Sequence, residues 1–371
     1  MGLFEQHVMY PMTAGLKESE KGYQSPLRKF GSFTGNLEES GSIIGVGGRP
    51  GSGKKSYVDF VYVLHPLIEW RDSIYEKDSD GKVIKDDSGY PMEIHGATRK
   101  QLKITYFSNK TPVRIKIQKL LCAYIAVEHQ IIMDIATLNS KRGQMFGLDH
   151  DTVSKISQAH EFFELVEKEV LTIIDNEVSG TEIKEFVVAG SNLLGAMSTS
   201  TGRFKYKKSG TNIVVIEDAD SIATEKAGFT SLDSGGIKAN LSSVMRSLKK
   251  TYSITCVLGI PVKSGYTRTV MDTEPNYKDL GAFKKVVDLG IILYNPYNEK
   301  NFSYGDYPVE DLVIRGKDRF RSVSIVSNSV GRSNVTVGCI FLGECGTFGE
   351  ASGPADISWF EKKIAILQTV G

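Results

Sequence analysis

A glycine-rich stretch near the N-terminus constrains the fold of this chain more than any other feature. Residues 47–56 read Gly-Gly-Arg-Pro-Gly-Ser-Gly-Lys-Lys-Ser, and from Gly48 the spacing is G-x-x-x-x-G-K. An apolar run over 42–46 precedes this stretch, and a periodic apolar segment over 57–68 follows it. Strand, glycine loop and helix in this order are the context that a phosphate-binding loop requires. A chance glycine turn before a helix is the alternative, which the lysine that ends the motif disfavours.

The residue types of this loop predict how it would hold a phosphate group. Glycines let backbone N–H groups converge on phosphate oxygens, and the following helix directs its positive end to the same place. Lys54 would add a point charge at the outer phosphates. Lys55, however, stands where the motif requires a Ser or Thr hydroxyl to bind Mg²⁺. The predicted nucleotide-binding residues are Gly48, Arg49, Pro50, Gly51, Ser52, Gly53, Lys54, Lys55 and Ser56.

Composition narrows the class of protein. The 371 residues are 40% hydrophobic and 24% charged, which is ordinary for a soluble globular protein with one large α/β domain or two smaller ones. A net charge of +1 neither favours nor excludes a nucleic-acid partner, because only a local basic patch would matter. No apolar run approaches the roughly 20 residues that span a bilayer. The four cysteines show no C-x-x-C spacing. We therefore expect a cytoplasmic protein with reduced thiols and no membrane contact.

The order of the apolar segments predicts the architecture. Strands are predicted near 42–46, 103–108, 170–175, 212–218, 253–259 and 287–294. Helices are predicted near 54–70, 112–135, 151–171 and 239–251. This alternation predicts an α/β fold with a mostly parallel sheet flanked by helices. Further strands near 311–315, 321–327 and 335–342 predict a β-rich C-terminal part. We expect an arm or linker over 1–40, one domain over 41–350, and a tail or helix over 351–371.

Two polar segments interrupt this order. Residues 72–98 carry two turn signals and are predicted to form a surface hairpin insertion. Their acidic residues also have a loose calcium-loop spacing, but Glu76 replaces the expected aspartate and no flanking helix pair is evident, so we favour a solvated turn. Residues 189–210 are rich in Gly, Ser and Thr and contain four cations towards their end. They are predicted to form a mobile loop, either a nucleic-acid contact or a solvated link.

A second candidate for phosphate chemistry lies further along the chain. Residues 212–216 form an apolar run that ends in Glu217 and Asp218. In a protein with a phosphate-binding loop, such a strand delivers a carboxylate to the water shell of the metal ion. A buried strand with a polar end is the alternative. We predict Glu217 and Asp218 as the catalytic acids.

Five ordered segments together resemble a known family. They are Arg49-Pro50 with Gly53-Lys54, Tyr106-Phe107-Ser108, Arg246-Ser247-Leu248-Lys249, Asp279-Leu280-Gly281 with 287–293, and Phe341-Leu342-Gly343-Glu344 with Phe348. The family is the DnaB-type replicative DNA helicases, especially phage forms, and the likeness covers their RecA-like C-terminal domain over roughly 29–350. It implies a P-loop NTPase fold and a ring of such domains around single-stranded DNA. It also implies ATP with Mg²⁺ at each subunit interface and partner proteins of replication.

The chain departs from the family pattern at positions that carry hydrolysis. The glutamate that would orient the attacking water is replaced by Lys110. A cation there cannot act as a base for water. Lys55 likewise removes the hydroxyl that binds the metal ion, and Gly259-Ile260-Pro261 stands in place of the expected sensor glutamine. The active site is therefore predicted to be degenerate.

The arginine finger that the family supplies to a neighbouring subunit is also missing. Its K-x-R motif falls on Ser327 and Ser329. A different register would place Lys317 and Arg319 at these positions. We reject it, because it leaves about ten extra residues before Phe341.

Two functional hypotheses follow from the resemblance and its departures. The chain is either a DnaB-like helicase homologue that binds nucleotide with weakened or lost hydrolysis, or an active ATP-dependent ring helicase with an altered site. The chemistry favours the first, and both imply self-association. The two long loops, 219–239 and 261–282, are expected to contact single-stranded DNA, with Lys263, Arg268 and Lys278 as the cations of the second. Solvated surface loops would have the same composition.

Overall fold

The computed structural model describes most of the chain in twelve stretches. They are residues 23–35, 37, 41–78, 83–87, 91–139, 148–200, 202–207, 210–223, 234–262, 274–314, 316–329 and 331–353. The described helices are α1 (Arg28–Thr34), α2 (Lys54–Asp59, Phe60–Leu64 with a wider π-helical turn, and His65–Arg71), α3 (Val113–His129), α4 (Ile135–Leu138), α5 (His150–Glu169), α6 (Gly180–Leu194) and α7 (Ser234–Tyr252).

Fifteen strands lie in the same part of the chain. They are β1 (Ile43–Gly48), β2 (Gln101–Phe107), β3 (Leu171–Ile174), β4 (Gly195–Met197), β5 (Phe204–Tyr206), β6 (Gly210–Ile216), β7 (Thr255–Pro261), β8 (Leu289–Tyr294), β9 (Ser303–Tyr304), β10 (Tyr307–Pro308), β11 (Val313–Ile314), β12 (Lys317–Asp318), β13 (Phe320–Asn328), β14 (Val335–Leu342) and β15 (Thr347–Glu350).

Nine of these strands form one mixed sheet in the order β15-β14-β13-β8-β1-β7-β6-β2-β3. From β8 to β3 all pairs are parallel, whereas β13, β14 and β15 extend the sheet with antiparallel pairs. Every residue of β1, β6 and β8 is buried, as expected for strands covered on both faces. The predicted α/β architecture, with a mostly parallel sheet flanked by helices and a β-rich C-terminal part, is confirmed.

The first strand lies near the middle of this sheet. Ile43 pairs with Cys256 on one side, and Ile44 pairs with Leu289 on the other. In open parallel sheets, ligands bind beyond the carboxyl ends of the strands. The glycine loop follows β1 directly and therefore lies at that edge.

The segment predicted as a loop over 189–210 is largely ordered structure, so that expectation is wrong. Helix α6 continues to Leu194, and β4 and β5 then pair as a short antiparallel hairpin. Ser179 and Glu182 form a capping box that fixes the start of the helix. Ile183, Val187 and Ser191 are buried at helical spacing. The small and polar residues of this segment predicted a loop. The buried stripe that defines α6 is only a few residues long and did not outweigh them.

Part of the predicted N-terminal arm packs into the domain core. Tyr23, Leu27 and Phe30 are each 1% exposed and belong to the main hydrophobic cluster. The backbone N–H of Phe30 also donates to Oε1 of Glu350, at 2.9 Å. The packing of the domain thus begins before residue 41.

The described residues of the 72–98 segment pair with one another as antiparallel bridges. Tyr75 pairs with Glu93, Lys77 with Val83, and Lys85 with Pro91. Asp80, one residue of the calcium-loop spacing, lies outside the described residues, as does the tail or helix predicted over 351–371 beyond residue 353. Among the residues that are described, no group of three or more acidic, His or Cys side chains could hold a metal ion. None of the described helices combines the length and apolarity needed to cross a membrane.

Candidate phosphate-binding site

The backbone of the glycine loop turns sharply between β1 and α2. Gly51 and Gly53 have φ angles of +79° and +84°, in the left-handed region that glycine adopts without a side-chain clash. The N–H of Ser52 donates to the carbonyl of Arg49 at 3.1 Å, and α2 begins at Lys54. The first N–H groups of a helix lack partners within the helix. The start of α2 therefore offers donors to an anion at the end of β1.

Residues from distant parts of the chain hold the loop in this shape. Arg49 forms an ion pair with Glu299, and Nδ2 of Asn298 lies 2.6 Å from where a Cβ atom on Gly51 would be. On the other side, the ring of Phe348 lies 3.0 Å from the corresponding position on Gly53. Any larger residue at either glycine would displace these neighbours.

Lys54 is the motif lysine of this loop. Burial lowers its pKa, while the nearby Asp218 carboxylate opposes that shift and the Lys55 ammonium adds to it. Lys54 forms no hydrogen bond or ion pair with any residue in the described part of the chain. Its charge is therefore not neutralised by a direct partner there.

A buried ammonium group beside the loop was not predicted from the sequence. Lys116 on α3 is 0% exposed. Its Nζ atom lies 2.8 and 3.1 Å from the two carboxylate oxygens of Asp59, 2.8 Å from the hydroxyl of Tyr106, and 3.1 Å from Oε1 of Glu217. Burial alone would lower the pKa of Lys116, but the two carboxylates outweigh it and raise the pKa above its ordinary value. The side chain is thus a cation within a shell of oxygen atoms.

Glu217, the predicted catalytic acid, is bound on both carboxylate oxygens. Oε1 accepts a hydrogen bond from the Thr111 hydroxyl at 2.7 Å and lies 3.3 Å from Nζ of Lys55. Oε2 accepts the backbone N–H of Lys110 at 3.1 Å. Burial would raise the pKa of Glu217, but Lys116, Thr111 and Lys55 together lower it. The carboxylate is therefore ionised and occupied by donors.

Asp218, the second predicted acid, stabilises a local turn. Its Oδ1 atom accepts the N–H of Asp220 at 3.0 Å, and its carbonyl accepts the side-chain amide of Asn109 at 2.9 Å. Asp220 in turn pairs with Lys238 at 2.7 Å. These bonds hold the turn that follows β6.

The Mg²⁺ ion that the family pattern implies does not fit these residues. Magnesium requires near-octahedral oxygen ligands at about 2.0–2.1 Å. Lys55 replaces the hydroxyl ligand, and its ammonium group, with that of Lys116, contacts the carboxylate that would orient the metal's water. Two ammonium groups at one carboxylate repel a divalent cation. These residues therefore do not present the oxygen ligand set that a magnesium ion requires.

A cleft of about 630 Å³ adjoins the start of α2. Ser56 and Asp59 line one side, and Phe341, Arg321 and Glu344 line the other. The guanidinium of Arg321 lies 5.0 Å from the centre of the Phe341 ring, a cation–π distance. This volume lies in the range of small-molecule sites, about 300–1,000 Å³. The Arg321 guanidinium also pairs with Oδ2 of Asp318 at 2.8 Å, so the cleft offers an aromatic surface beside a paired guanidinium.

Glu344 in this cleft is neutralised by two cations. Arg319, which is 2% exposed, binds both of its oxygens, and Nζ of Lys317 lies 2.7 Å from Oε1. Burial would raise the pKa of Glu344, but these hydrogen bonds lower it to about 2. Lys317 and Arg319 are therefore engaged within the chain, on the loop side of the sheet.

The two serines at the expected finger positions lie at the opposite edge of the sheet. Ser327 pairs with Gly290 near the end of β13, and the N–H of Ser329 donates to the carbonyl of Asp288 at 2.8 Å. Neither serine carries the charge that an arginine finger requires.

Of the three predicted DNA-binding cations, one lies among the described residues. Lys278 is exposed in the 3₁₀ segment Tyr277–Lys285. Lys263 and Arg268 lie outside the described residues. Of the cations predicted near 203–208, Lys205 is exposed on β5 and Lys208 lies outside the described part.

The order and direction of the strands correspond to a RecA-like fold, as in two solved structures. The chain is similar to a DnaB-like replicative helicase solved in a study of its interactions with primase, with a TM-score of 0.63, 12% identity, and coverage of 95% of this chain and 68% of that chain. It is also similar to a second structure, solved as an ATPase domain alone, with a TM-score of 0.61, 13% identity, and coverage of 95% of this chain and 100% of that chain. No family model matches the sequence. No curated protein matches it either.

Proposed function

We propose that this protein is a DnaB-like helicase homologue of DNA replication that binds nucleotide at the glycine loop without sustaining ATP hydrolysis. The observation that carries the proposal is the state of Glu217. Both of its oxygens are occupied by donors from Lys55, Lys116, Thr111 and the Lys110 backbone. A carboxylate held in this way cannot position the water shell of a metal ion.

Nucleotide binding is supported by three features of the same edge of the sheet. The loop backbone has the shape that presents helix N–H groups to phosphate oxygens. Lys54 has no partner in the described part of the chain. The cleft beside α2 supplies Phe341, against which Arg321 packs, as an aromatic wall. Together they favour an anionic ligand with a planar ring system.

The loss of hydrolysis is supported by the remaining substitutions. Lys110 stands at the position of the water-orienting glutamate, and its backbone is committed to Glu217. Ser329 stands at the finger position, where related phosphoryl-transfer enzymes gain about 10³–10⁵ in rate from an arginine. Each change alone leaves a compensating route, but together they remove the base, the metal ligand and the finger.

The test is a paired measurement of ATP binding and ATP turnover with single-stranded DNA present. We expect nucleotide binding that Lys54→Ala removes, and turnover no higher than that of the Lys54→Ala variant. Lys184→Ala, an exposed cation on α6 outside the site, is the matched control and is expected to bind as the wild type does. DNA-stimulated turnover that Lys54→Ala abolishes would instead establish the active ring helicase.

A further inference from the structure

We infer that the glycine loop binds its nucleotide as a free polyphosphate anion, with the ammonium group of Lys55 in place of a divalent metal ion. The inference rests on the proposed nucleotide binding and specifies the chemical form of the ligand. The glycine-loop motif and the fold imply Mg²⁺, whereas the side chains at the expected metal position are cations.

The position of Lys55 suits this role. Its Nζ atom lies 3.3 Å from Oε1 of Glu217 and 3.4 Å from the hydroxyl of Thr111. In a metal-dependent loop the metal ion links the phosphates to the carboxylate at the end of the acidic strand. Here the ammonium group of Lys55 contacts the Glu217 carboxylate directly. A lysine carries three N–H donors, so two such contacts leave one donor for a phosphate oxygen. The side chain is 38% exposed and therefore accessible to a ligand.

The charges of the inner cluster exclude a divalent ion. Asp59 and Glu217 contribute two negative charges, and Lys116 and Lys55 contribute two positive charges. The cluster is therefore neutral before any ligand enters. Lys116 lies 2.8–3.1 Å from its oxygen partners, so it fills the space between the two carboxylates. A metal ion would have to displace an ammonium group that is completely buried.

Two further lysines leave an excess of positive charge at the ligand side. Lys54 begins α2 and has no partner within the described part of the chain. Lys110 is exposed, and its backbone N–H is fixed on the same carboxylate that Lys55 contacts. The polyphosphate would thus meet Lys54, Lys55 and Lys110 together with the N-terminus of α2. Charge-assisted hydrogen bonds of this kind are stronger than neutral ones.

Calorimetric titration of the full chain with ATP, in EDTA and in excess Mg²⁺, tests the inference. We expect affinity in EDTA at least equal to that in Mg²⁺. Lys55→Met removes the charge at similar side-chain size and is expected to weaken binding in EDTA about tenfold or more, while Lys55→Arg retains most of it. Lys184→Met, the matched control, is expected to leave affinity unchanged. Thermal unfolding confirms that each variant is folded, since Glu217 retains Lys116 and Thr111 in both Lys55 variants.

The outcomes separate the inference from the proposed function. Binding that occurs only with Mg²⁺ overturns the inference and leaves nucleotide binding intact. Equal binding of wild type and Lys55→Met in EDTA also overturns it, because the charge of Lys55 would then contribute nothing. Absence of ATP binding under both conditions overturns the inference and the proposed function together.

Discussion

Lys116 occupies a position where an uncompensated charge would be very unfavourable. The protein tolerates it because four oxygen contacts replace its lost hydration, and three of these come from carboxylates. A buried ion pair contributes little net stability compared with apolar residues of similar volume, but removal of one partner is costly. The cluster around Lys116 is therefore sensitive to single substitutions.

The first prediction concerns this buried cluster. Lys116→Met leaves Asp59 and Glu217 facing each other without their shared cation, and we expect the free energy of unfolding to fall by about 3–5 kcal/mol. Lys119→Met, an exposed position on the same helix, is the control and is expected to change it by less than about 0.5 kcal/mol. Urea denaturation measures both. Equal stability of the two variants would show that the cluster is not a charged network.

The second prediction concerns pH and Glu344. The pKa of this carboxyl falls from 4.5 to about 2 in the folded protein. A lowered pKa stabilises the fold above the unfolded value, and this stabilisation is lost as pH falls towards 2. We expect the difference in unfolding free energy between wild type and Glu344→Gln to be largest above pH 4.5 and to shrink towards pH 2. A difference that stays constant over this pH range for Glu344→Gln would contradict the assignment.

At the residue scale, the sequence identified only some of the residues of the candidate site. The sequence identified Lys54 and Lys55 through the glycine-loop motif. It identified Glu217 through the apolar strand that precedes it. Lys116 and Asp59 were missed, because polar residues within helices are usually solvated and no spacing links positions 57 residues apart. One feature of the sequence could have identified Lys116 as a buried residue. Lys116 lies four residues before Leu120 and seven before Ala123, on the buried stripe of α3.

At the scale of elements, α1 connects the N-terminal segment to the far end of the chain. Its buried face packs into the main core, and its backbone bonds to Glu350. No periodicity marked this helix in the sequence, because it spans only seven residues. Its stability comes from tertiary packing and not from intrinsic propensity.

The third prediction tests whether α1 belongs to the domain. Phe30→Ala removes a ring that is 1% exposed, and we expect a loss of about 3–5 kcal/mol in unfolding free energy. The exposed neighbour Lys29→Ala is the control. Denaturant unfolding should show a single transition at lower midpoint for Phe30→Ala. An unchanged midpoint would mean that the segment detaches without loss of the fold.

The central strands and the helices α2 and α5 were predicted to within a few residues. Buried parallel strands are short, continuous apolar runs, so β1, β2, β6 and β8 were found within a few residues. The helix predicted over 112–135 ends earlier, at His129, because Gln130 adopts a left-handed φ of 59°. That conformation is set by the fold and leaves no mark in the composition.

At the scale of the whole molecule, the fourth prediction concerns single-stranded DNA. If the loop cations contact phosphates, affinity should fall steeply as salt rises. Combined substitution of Lys263, Arg268 and Lys278 by alanine should weaken binding and reduce the salt dependence by about one unit of log–log slope per lost contact. Fluorescence anisotropy with a labelled oligonucleotide measures this, and Lys184→Ala is the control. A flat salt response would remove these cations from the interface.

The fifth prediction concerns assembly. A ring of the kind implied by the resemblance requires that the edge carrying Ser327 and Ser329 face the loop of a neighbour. We expect light scattering to report a particle larger than the 40.9 kDa chain, with nucleotide increasing the assembled fraction. Nucleotide stabilises assembly because it would bind between subunits. A single species at the mass of one chain, with and without ATP, would contradict ring formation.

The central place of β1 in the sheet has a consequence for biosynthesis. Both of its sheet neighbours, β7 and β8, are translated more than 200 residues after it. The aromatic ring that packs on Gly53 comes later still, at Phe348. Contacts between such distant parts of a chain slow folding and leave apolar strands exposed in the meantime. The nascent chain must therefore keep β1 unpaired until β7 and β8 are translated, and the glycine loop reaches its final packing only after Phe348 has followed them.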